Sequence, residues 1–143
     1  MARDLRPFFA PKSVAVVGAA ERATSSGGAV LQNLQIGGYP GTIYPINPKG
    51  GTAFGLAVLP SLRALPAPAE LCIIVFRPGL IPEALKEAAE TGHRNILVLP
   101  GGFAEAGPEG QKRDAAVRAF AAEAGLTIAG PNCAGIIHLQ PEL

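Results

Sequence analysis

A Gly- and Ser-rich segment follows the first strongly apolar run of the sequence and carries residue types that can bind phosphate. Gly18 permits a tight turn, and Gly27 and Gly28 permit close approach of a ligand at the start of a following helix. Exposed N–H groups at a helix start, together with the helix dipole, favour an anion. Ser25 and Ser26 add hydroxyl donors. The spacing matches neither G-x-G-x-x-G nor the P-loop, so an ordinary Gly/Ser-rich connection is the alternative interpretation.

A lysine stands where dinucleotide-binding folds commonly have an acid. The second apolar run ends in the sequence from Tyr44 to Lys49, and no carboxylate follows until Glu70. NAD-binding folds use an Asp or Glu at this point to hold the ribose hydroxyls. A cation there fits a ribose that carries a phosphate, which indicates NADP or coenzyme A (CoA). The alternative is a solvated lysine in a turn.

The strands that would position these residues are predicted from short, β-branched runs. Each run is continuously apolar rather than alternating, which is typical of strands covered on both faces. A Gly- and Pro-rich stretch also predicts one short strand and one helical turn, at Phe54–Val58 and Ser61–Leu65. The main runs are Val14–Val17, Thr42–Ile46, Leu71–Phe76, Asn95–Leu99 and Thr127–Ala129.

Helical spacing between these runs predicts three helices. Pro82 suits a first turn, and Gly92 and Gly125 suit the ends of the second and third helices. Strands that alternate with helices predict parallel pairing and right-handed crossovers. We therefore predict an α/β fold, a doubly wound (Rossmann-like), mostly parallel sheet in three α/β/α layers. The apolar stripes are Val30, Leu31 and Leu34; Ile81, Leu85, Ala88 and Ala89; and Ala116, Val117, Phe120 and Ala124.

Length and composition exclude several classes of protein. The 143 residues fit one domain, predicted over 1–143 with a lead-in over 1–12 and a C-terminal tail over 136–143. A net charge of +1 without runs of like charge argues against nucleic acid as a partner. No apolar stretch is long enough to span a membrane, and the first residues lack a signal-peptide core. Two cysteines make no disulfide framework, so we predict a cytoplasmic protein.

Several short motifs, taken in order, resemble the CoA-binding domain of NDP-forming acyl-CoA synthetases, which are relatives of the succinyl-CoA synthetase α subunit. The motifs cover nearly the whole chain, and their combination is specific although no single one is. They are Leu5–Phe9, Lys12–Gly18, Gly38–Gly41, Tyr44–Lys49, Pro60–Leu62, Gly102–Gly107 and Gly130–Gly135.

The resemblance implies that CoA is the cofactor and that the domain presents the CoA thiol to an acyl-phosphate in an acid–CoA ligase. It implies CoA or acyl-CoA as small-molecule partner, and the remaining ligase domains or an ATP-grasp β subunit as protein partners. We assign no catalytic residue and expect no acyl-CoA formation by this chain alone. Two alternatives stay open: a stand-alone module that senses CoA or acyl-CoA, and an NADP-binding oxidoreductase fragment.

Matched motif by motif, the resemblance implies a coenzyme site on several loops. One group surrounds the phosphates, a second lies by the adenosine end, a third follows the third main strand and a fourth lines the pantetheine arm. In that order they are Gly18, Ala19, Ala20, Ser25, Ser26 and Gly27; Pro45, Asn47 and Lys49; Phe76 and Arg77; and Leu99, Pro100 and Gly101.

The sequence departs from the family pattern at several of these positions. Ala20 replaces a usual serine, Thr24 replaces a usual glycine, and Pro100 with Gly101 replaces a common Ser-Ala pair. Each lost hydroxyl weakens affinity by about 1 kcal/mol if it bonded the ligand. Arg77 belongs to a motif found in stand-alone bacterial CoA-binding proteins, and its guanidinium can contact a phosphate bidentately.

The remaining candidate residues are assigned no chemistry. His93 is predicted to be a solvated turn residue, and His138 matches no phosphohistidine motif; the two histidines make no metal site. Cys72 is predicted to be buried, whereas Cys133 is structural or lines the site. Glu105 is predicted either to cap the following helix or to line the site.

Overall fold

The computed structural model describes residues 4–137 and contains seven strands and four helices within that range. The strands are β1 (Ser13–Val17), β2 (Thr42–Ile46), β3 (Thr52–Ala53), β4 (Leu56–Ala57), β5 (Leu71–Ile74), β6 (Asn95–Val98) and β7 (Thr127–Ala129). The helices are α1 (Arg6–Phe9), α2 (Ser26–Ile36), α3 (Ile81–Glu90) and α4 (Pro108–Ala124), with 3-10 turns at Leu62–Ala64, Pro78–Leu80 and Ala104–Ala106. None of the described helices combines the length and apolar character needed to cross a membrane.

Five parallel strands form the central sheet, in the order β2-β1-β5-β6-β7. The chain runs outward from β1 to β2 and then returns to the other side of β1 to form β5. The direction of winding therefore reverses between β1 and β5, and open α/β sheets bind ligands at that point, outside the carboxyl ends of the strands. The short antiparallel pair β3–β4 lies on the return path, in place of the single short strand predicted there.

Helices and turns cover both faces of the sheet, because successive strand residues point to opposite sides. Val16, Ile73 and Leu97 belong to the apolar cluster that includes Leu31 of α2, together with residues of α1 and the β3–β4 pair. Their neighbours in the strands pack in a second cluster with α3 and α4, and Cys72 is buried there as predicted. The predicted doubly wound, three-layer α/β/α fold is confirmed.

The helix boundaries follow the predicted signals, with one error in a stripe. Pro82 lies in the first turn of α3, and Gly125 is the C-cap of α4, with a φ of +67° in the left-handed conformation that glycine adopts readily. Within α4, Val117 is buried and Phe120 packs against the core, but Ala116 is exposed. Its assignment to the apolar stripe was wrong because alanine occurs on both faces of this helix.

Hydrogen bonds tie the strands together at the amino end of the sheet, away from the switch point. The Glu70 carboxylate accepts the Lys12 N–H at 2.8 Å, and Ser13 Oγ accepts the Glu70 N–H at 3.0 Å. The Asn95 side-chain amide donates to the Glu70 carbonyl oxygen at 3.1 Å. Through these three hydrogen bonds, which we call the amino-edge ties, Glu70 connects β1, β5 and β6.

His93 is buried, so the prediction of a solvated turn histidine was wrong. Its exposed fraction is 1%, and its ring Nδ1 lies 2.8 Å from Thr91 Oγ1. Because that hydroxyl donates to the Glu87 carbonyl oxygen at 2.7 Å, His93 Nδ1–H is the donor in the His–Thr bond. Its Nε2 has no partner among the described residues. The turn after α3 folds the ring inward. Burial lowers the pKa of His93; the charge of Glu87 acts to raise it, and the charge of Arg94 acts to lower it further.

Acid is expected to destabilise the fold through His93. The unfolded chain binds a proton on this residue near pH 6.5 whereas the buried ring resists it, so stability is lost as pH falls below about 6.5. The His138→Gln variant keeps His93 as its one histidine. Its free energy of unfolding should decrease from about pH 7 to pH 5, before most carboxyl groups titrate. Adding His93→Leu should flatten that decrease, and an unchanged slope would contradict this role.

Candidate functional site

The loops that follow β1 and β5 touch at the switch point. Gly18 directly follows β1 and has φ +102°, a backbone conformation that residues with a side chain rarely adopt. A Cβ on Gly18 would lie 2.9 Å from Val75 Cγ2 and 3.0 Å from Phe76 Cδ1. The backbone turn after β1 therefore fits directly against the Phe76 ring, and glycine is required there both for its φ and for space.

The start of α2 presents free N–H groups beside this turn. Ser25 caps the helix, since its Oγ accepts the Gly28 N–H at 3.1 Å and donates to the Arg22 carbonyl oxygen at 2.6 Å. The first intrahelical bond is made by Ala29, so the N–H groups of Ser26 and Gly27 have no intrahelical acceptor. The Ser25 hydroxyl is thus occupied by the cap, and the donors available to an anion are backbone groups and the exposed Ser26 side chain.

Close packing of backbone holds the helix start against the first loop. A Cβ on Gly27 would lie 2.1 Å from the Gly18 carbonyl oxygen, and a Cβ on Gly28 would lie 2.1 Å from that of Arg22. Both glycines are buried. The Gly27–Gly28 pair therefore permits a contact between two backbone segments that any side chain would prevent.

Asn47 joins the loop after β2 to the loop after β1. Its side-chain amide donates to the Ala19 carbonyl oxygen at 2.8 Å, while its Oδ1 accepts the Lys49 N–H at 3.0 Å. Lys49 itself is exposed and forms no ion pair with the residues described. Pro45 is buried in β2 beneath these loops. Asn47 thus joins the backbone at the predicted lysine to the predicted phosphate loop, a role that the residue type alone did not indicate.

A groove of about 770 Å³ opens between these loops and α3. Its inner end lies at Gly18 and Phe76, and its outer end carries Glu83, Glu87 and Glu90 of α3. Arg77, next to Phe76, is exposed and is not among the lining residues. Arg63 and Lys86 also line the groove, and Arg63 pairs with Glu90, so its charge is mixed. The groove and the candidate anion site at the start of α2 are neighbouring features that share Gly18. The remaining lining residues are Ile46, Asn47, Pro48, Pro60, Ser61, Leu80 and Ala84.

The loops after β6 and β7 are joined to each other. The Asn132 N–H donates to the Pro100 carbonyl oxygen at 2.9 Å, and the Cys133 N–H donates to that of Leu99 at 3.3 Å. Leu99 and Cys133 both pack against the apolar cluster on the α2 side. The segment Leu99–Gly101 is therefore supported from below by the core and from one side by the β7 loop.

Glu105 does not cap α4, whose first position follows Gly107 without a side-chain cap. Its carboxylate accepts the N–H groups of Gly102 and Phe103, and it approaches the space beside Gly101. Hydrogen bonds from the backbone N–H groups of residues 105, 102 and 103 hold the pKa of this carboxyl below its usual value. Of the two roles predicted for it, the structure excludes the helix cap.

The structure thus groups the predicted residues at one edge of the sheet, but in distinct settings. The loops that hold Gly18, Lys49 and Phe76 converge on the switch point, and Leu99–Gly101 lies in the loop after β6, the strand next to β5. Sequence reasoning missed the linking role of Asn47 and the hydrogen bonds of Arg113 and Asn132 to this edge. No group of three or more potential metal ligands occurs in the part of the chain that the structure describes.

Residues 12–139 match the family model described as "CoA binding domain". The chain belongs to that family. The resemblance inferred from the ordered motifs is therefore confirmed. The CoA-binding domain is 34% identical over 137 residues to the ADP-forming acetate–CoA ligase II of Archaeoglobus fulgidus, covering 96% of this chain and 20% of the relative. It is 34% identical over 144 residues to the α subunit of acetate–CoA ligase I of Pyrococcus furiosus, covering 98% of this chain and 31% of that subunit.

Solved structures share the fold of the CoA-binding domain. A protein of Pyrococcus horikoshii OT3 superposes with a TM-score of 0.87 at 32% identity, over 92% of this chain and 30% of that one. The dinucleotide-forming acetyl-coenzyme A synthetase 1 of Ca. Korarchaeum cryptofilum, in complex with phosphate and ADP, gives 0.85 at 28% identity, over 90% and 27%. The domain thus resembles one part of ADP-forming acetate–CoA ligases and spans between a fifth and a third of the length of these relatives.

Proposed function

We propose that this domain binds coenzyme A across the carboxyl edge of its sheet. The observation that carries the proposal is the Asn47 side chain, which ties the Ala19 carbonyl oxygen to the Lys49 N–H. This link ties the backbone of Lys49 to the loop that leads to the start of α2, whose free N–H groups suit a diphosphate. CoA carries both a diphosphate and a ribose 3′-phosphate, so the two features match two parts of one ligand.

The adenine base is proposed to occupy the inner end of the 770 Å³ groove. Ile46, Pro48 and Phe76 line that end, and Leu80 leaves 44% of its surface exposed there. A heteroaromatic base can pack on this exposed apolar surface while the phosphates attached to it lie at the neighbouring polar site. Glu87 and Glu90 lie further along α3, where Arg63 pairs with Glu90.

The pantetheine arm is proposed to run from the start of α2 past the β5 loop to Leu99–Gly101. Arg77 is exposed on that route and has no ion-pair partner within residues 4–137, so its guanidinium is available to a phosphate. The thiol would then lie near the joined loops after β6 and β7. This route uses the same loops that the motif resemblance implied.

We propose that residues 1–143 serve as the coenzyme domain of an ADP-forming acid–CoA ligase, in which the bound thiol attacks an acyl-phosphate. The thioester C–S bond forms as the acyl C–O bond breaks, and inorganic phosphate and the thiol proton are released. The support is the similarity to acetate–CoA ligases and to a ligase α subunit. The acyl-phosphate, its carboxylic acid and the nucleotide would be handled by other ligase domains or by a partner subunit.

Calorimetric titration with CoA, dephospho-CoA and NADP tests the proposal. We expect CoA to bind most tightly and dephospho-CoA to bind more weakly, because removing the 3′-phosphate removes the partner of Lys49. NADP binding without CoA binding would favour the oxidoreductase alternative and overturn the proposal. Failure of all three ligands to bind would also overturn it for this chain.

A further inference from the structure

Two charged side chains hold the peptide groups of Gly102 from opposite sides. Glu105 Oε1 accepts the Gly102 N–H and also the Phe103 N–H, the latter at 3.1 Å. Arg113 Nη1 donates to the Gly102 carbonyl oxygen at 2.8 Å. Gly102 has φ +96°, so the chain turns sharply between these contacts. Both polar backbone groups of this residue are therefore bound by side chains from outside the β6 strand.

The held residue directly follows the segment proposed to line the pantetheine arm. On the other side of that segment, the Asn132 N–H binds the Pro100 carbonyl oxygen at 2.9 Å. A Cβ on Gly101 would lie 2.9 Å from Glu105 Oε1 and 3.1 Å from Asn132 Oδ1. Glycine at position 101 therefore leaves the space that the Glu105 carboxylate occupies.

We propose that Glu105 and Arg113 are positioning residues that fix the Pro100–Gly102 segment for the pantetheine arm of CoA. This inference rests on the proposed function. Both bonds from Gly102 and Phe103 end on one oxygen of Glu105, so a neutral amide oxygen at the same place can accept them, as weaker bonds than those of the carboxylate. The adenosine end of the site, around Asn47 and Lys49, does not depend on this arrangement.

The test compares CoA with adenosine 3′,5′-bisphosphate, which keeps the ribose 3′-phosphate but lacks pantetheine. Glu105→Ala should weaken CoA binding about fivefold to tenfold, as expected for lost hydrogen bonds that order a binding loop. The affinity for adenosine 3′,5′-bisphosphate should be unchanged. Glu105→Gln should restore CoA binding, because its amide oxygen can accept the same two N–H groups.

Two further variants separate loop positioning from general stability. Gly101→Ala should reproduce the CoA defect of Glu105→Ala, since its Cβ displaces Oε1, which is the end of a flexible side chain and can move without unfolding the domain. Glu109→Ala removes an equally exposed carboxylate that pairs with Lys112 on α4 and should leave both affinities unchanged. Thermal unfolding of every variant gives its Tm alongside the two affinities.

The outcomes distinguish failure of the proposed CoA binding from failure of the positioning role of Glu105. If the unaltered domain binds neither ligand, the proposed function fails and this inference fails with it. If it binds both ligands, equal losses for CoA and the bisphosphate in Glu105→Ala overturn the positioning role. A Glu105→Gln variant as weak as Glu105→Ala would overturn it too, because charge would then matter rather than geometry.

Discussion

Replacing Gly27 by alanine is expected to abolish CoA binding and to lower the free energy of unfolding by about 1–3 kcal/mol, the usual cost of overpacking a buried site. The new Cβ would lie 2.1 Å from the Gly18 carbonyl oxygen. This clash cannot be relieved by rotating a side chain, because the Cβ is fixed to the backbone of α2 and the oxygen belongs to the backbone of the first loop. The first loop must therefore move off the start of α2, which separates the free N–H groups from the switch point. Denaturant unfolding and calorimetric titration with CoA measure the two effects.

Gly79→Ala provides the matched control for stability. Gly79 lies in the 3-10 turn after β5, and a Cβ on it would meet nothing within 4 Å. The same chemical change should therefore leave the free energy of unfolding within about 0.5 kcal/mol of the starting value. Full CoA affinity in Gly27→Ala would contradict the placement of the diphosphate at the start of α2.

Replacing Lys49 by alanine is expected to weaken CoA binding about tenfold and to leave dephospho-CoA binding nearly unchanged, because the lost contact is a charge-assisted bond to one phosphate. The fold should be unaffected, since Lys49 is exposed and Asn47 bonds its backbone N–H rather than its side chain. Parallel titrations of the two ligands give the ratio directly. Raising the salt concentration should shrink the difference between them.

Lys12→Ala is the control for loss of a positive charge. Lys12 is exposed and precedes β1, so it lies at the opposite end of the sheet from Lys49. Lys12→Ala should leave the affinities for CoA and dephospho-CoA nearly unchanged, apart from the small effect of removing one positive charge. Equal losses of CoA and dephospho-CoA affinity in Lys49→Ala would contradict the proposed position of the 3′-phosphate beside Lys49.

The fold was largely predictable because its signals are local and repeated. Apolar β-branched runs located all five strands of the sheet, and β2 and β7 have the predicted bounds. β5 and β6 end earlier than predicted, at Ile74 and Val98, because the apolar residues that follow leave the sheet to form loops. His93 was mispredicted because a polar residue after a glycine looks solvated, whereas its burial depends on packing between α3 and the sheet.

The meeting of these loops at one edge of the sheet was predictable, but the hydrogen bonds that connect them were not. Glycine spacing predicted a close approach at the start of α2, but not that the Gly18 carbonyl oxygen of the first loop makes this approach to Gly27. Two connections depend on which loops the topology brings together. They are the link made by Asn47 and the hydrogen bond by which Glu105 holds Gly102. Residue types far apart in sequence carry no signal of that kind, so these connections needed the structure.

The amino-edge ties centred on Glu70 have a consequence for how such a domain can diverge. They join β1, β5 and β6 at the end of the sheet remote from the switch point. Substitutions there are expected to alter stability against heat or denaturant without contacting the opposite edge, whereas substitutions of exposed residues in the opposite loops, such as Lys49, are expected to alter ligand affinity with little effect on stability. Thermal adaptation and change of specificity can therefore follow separate evolutionary routes within one small sheet.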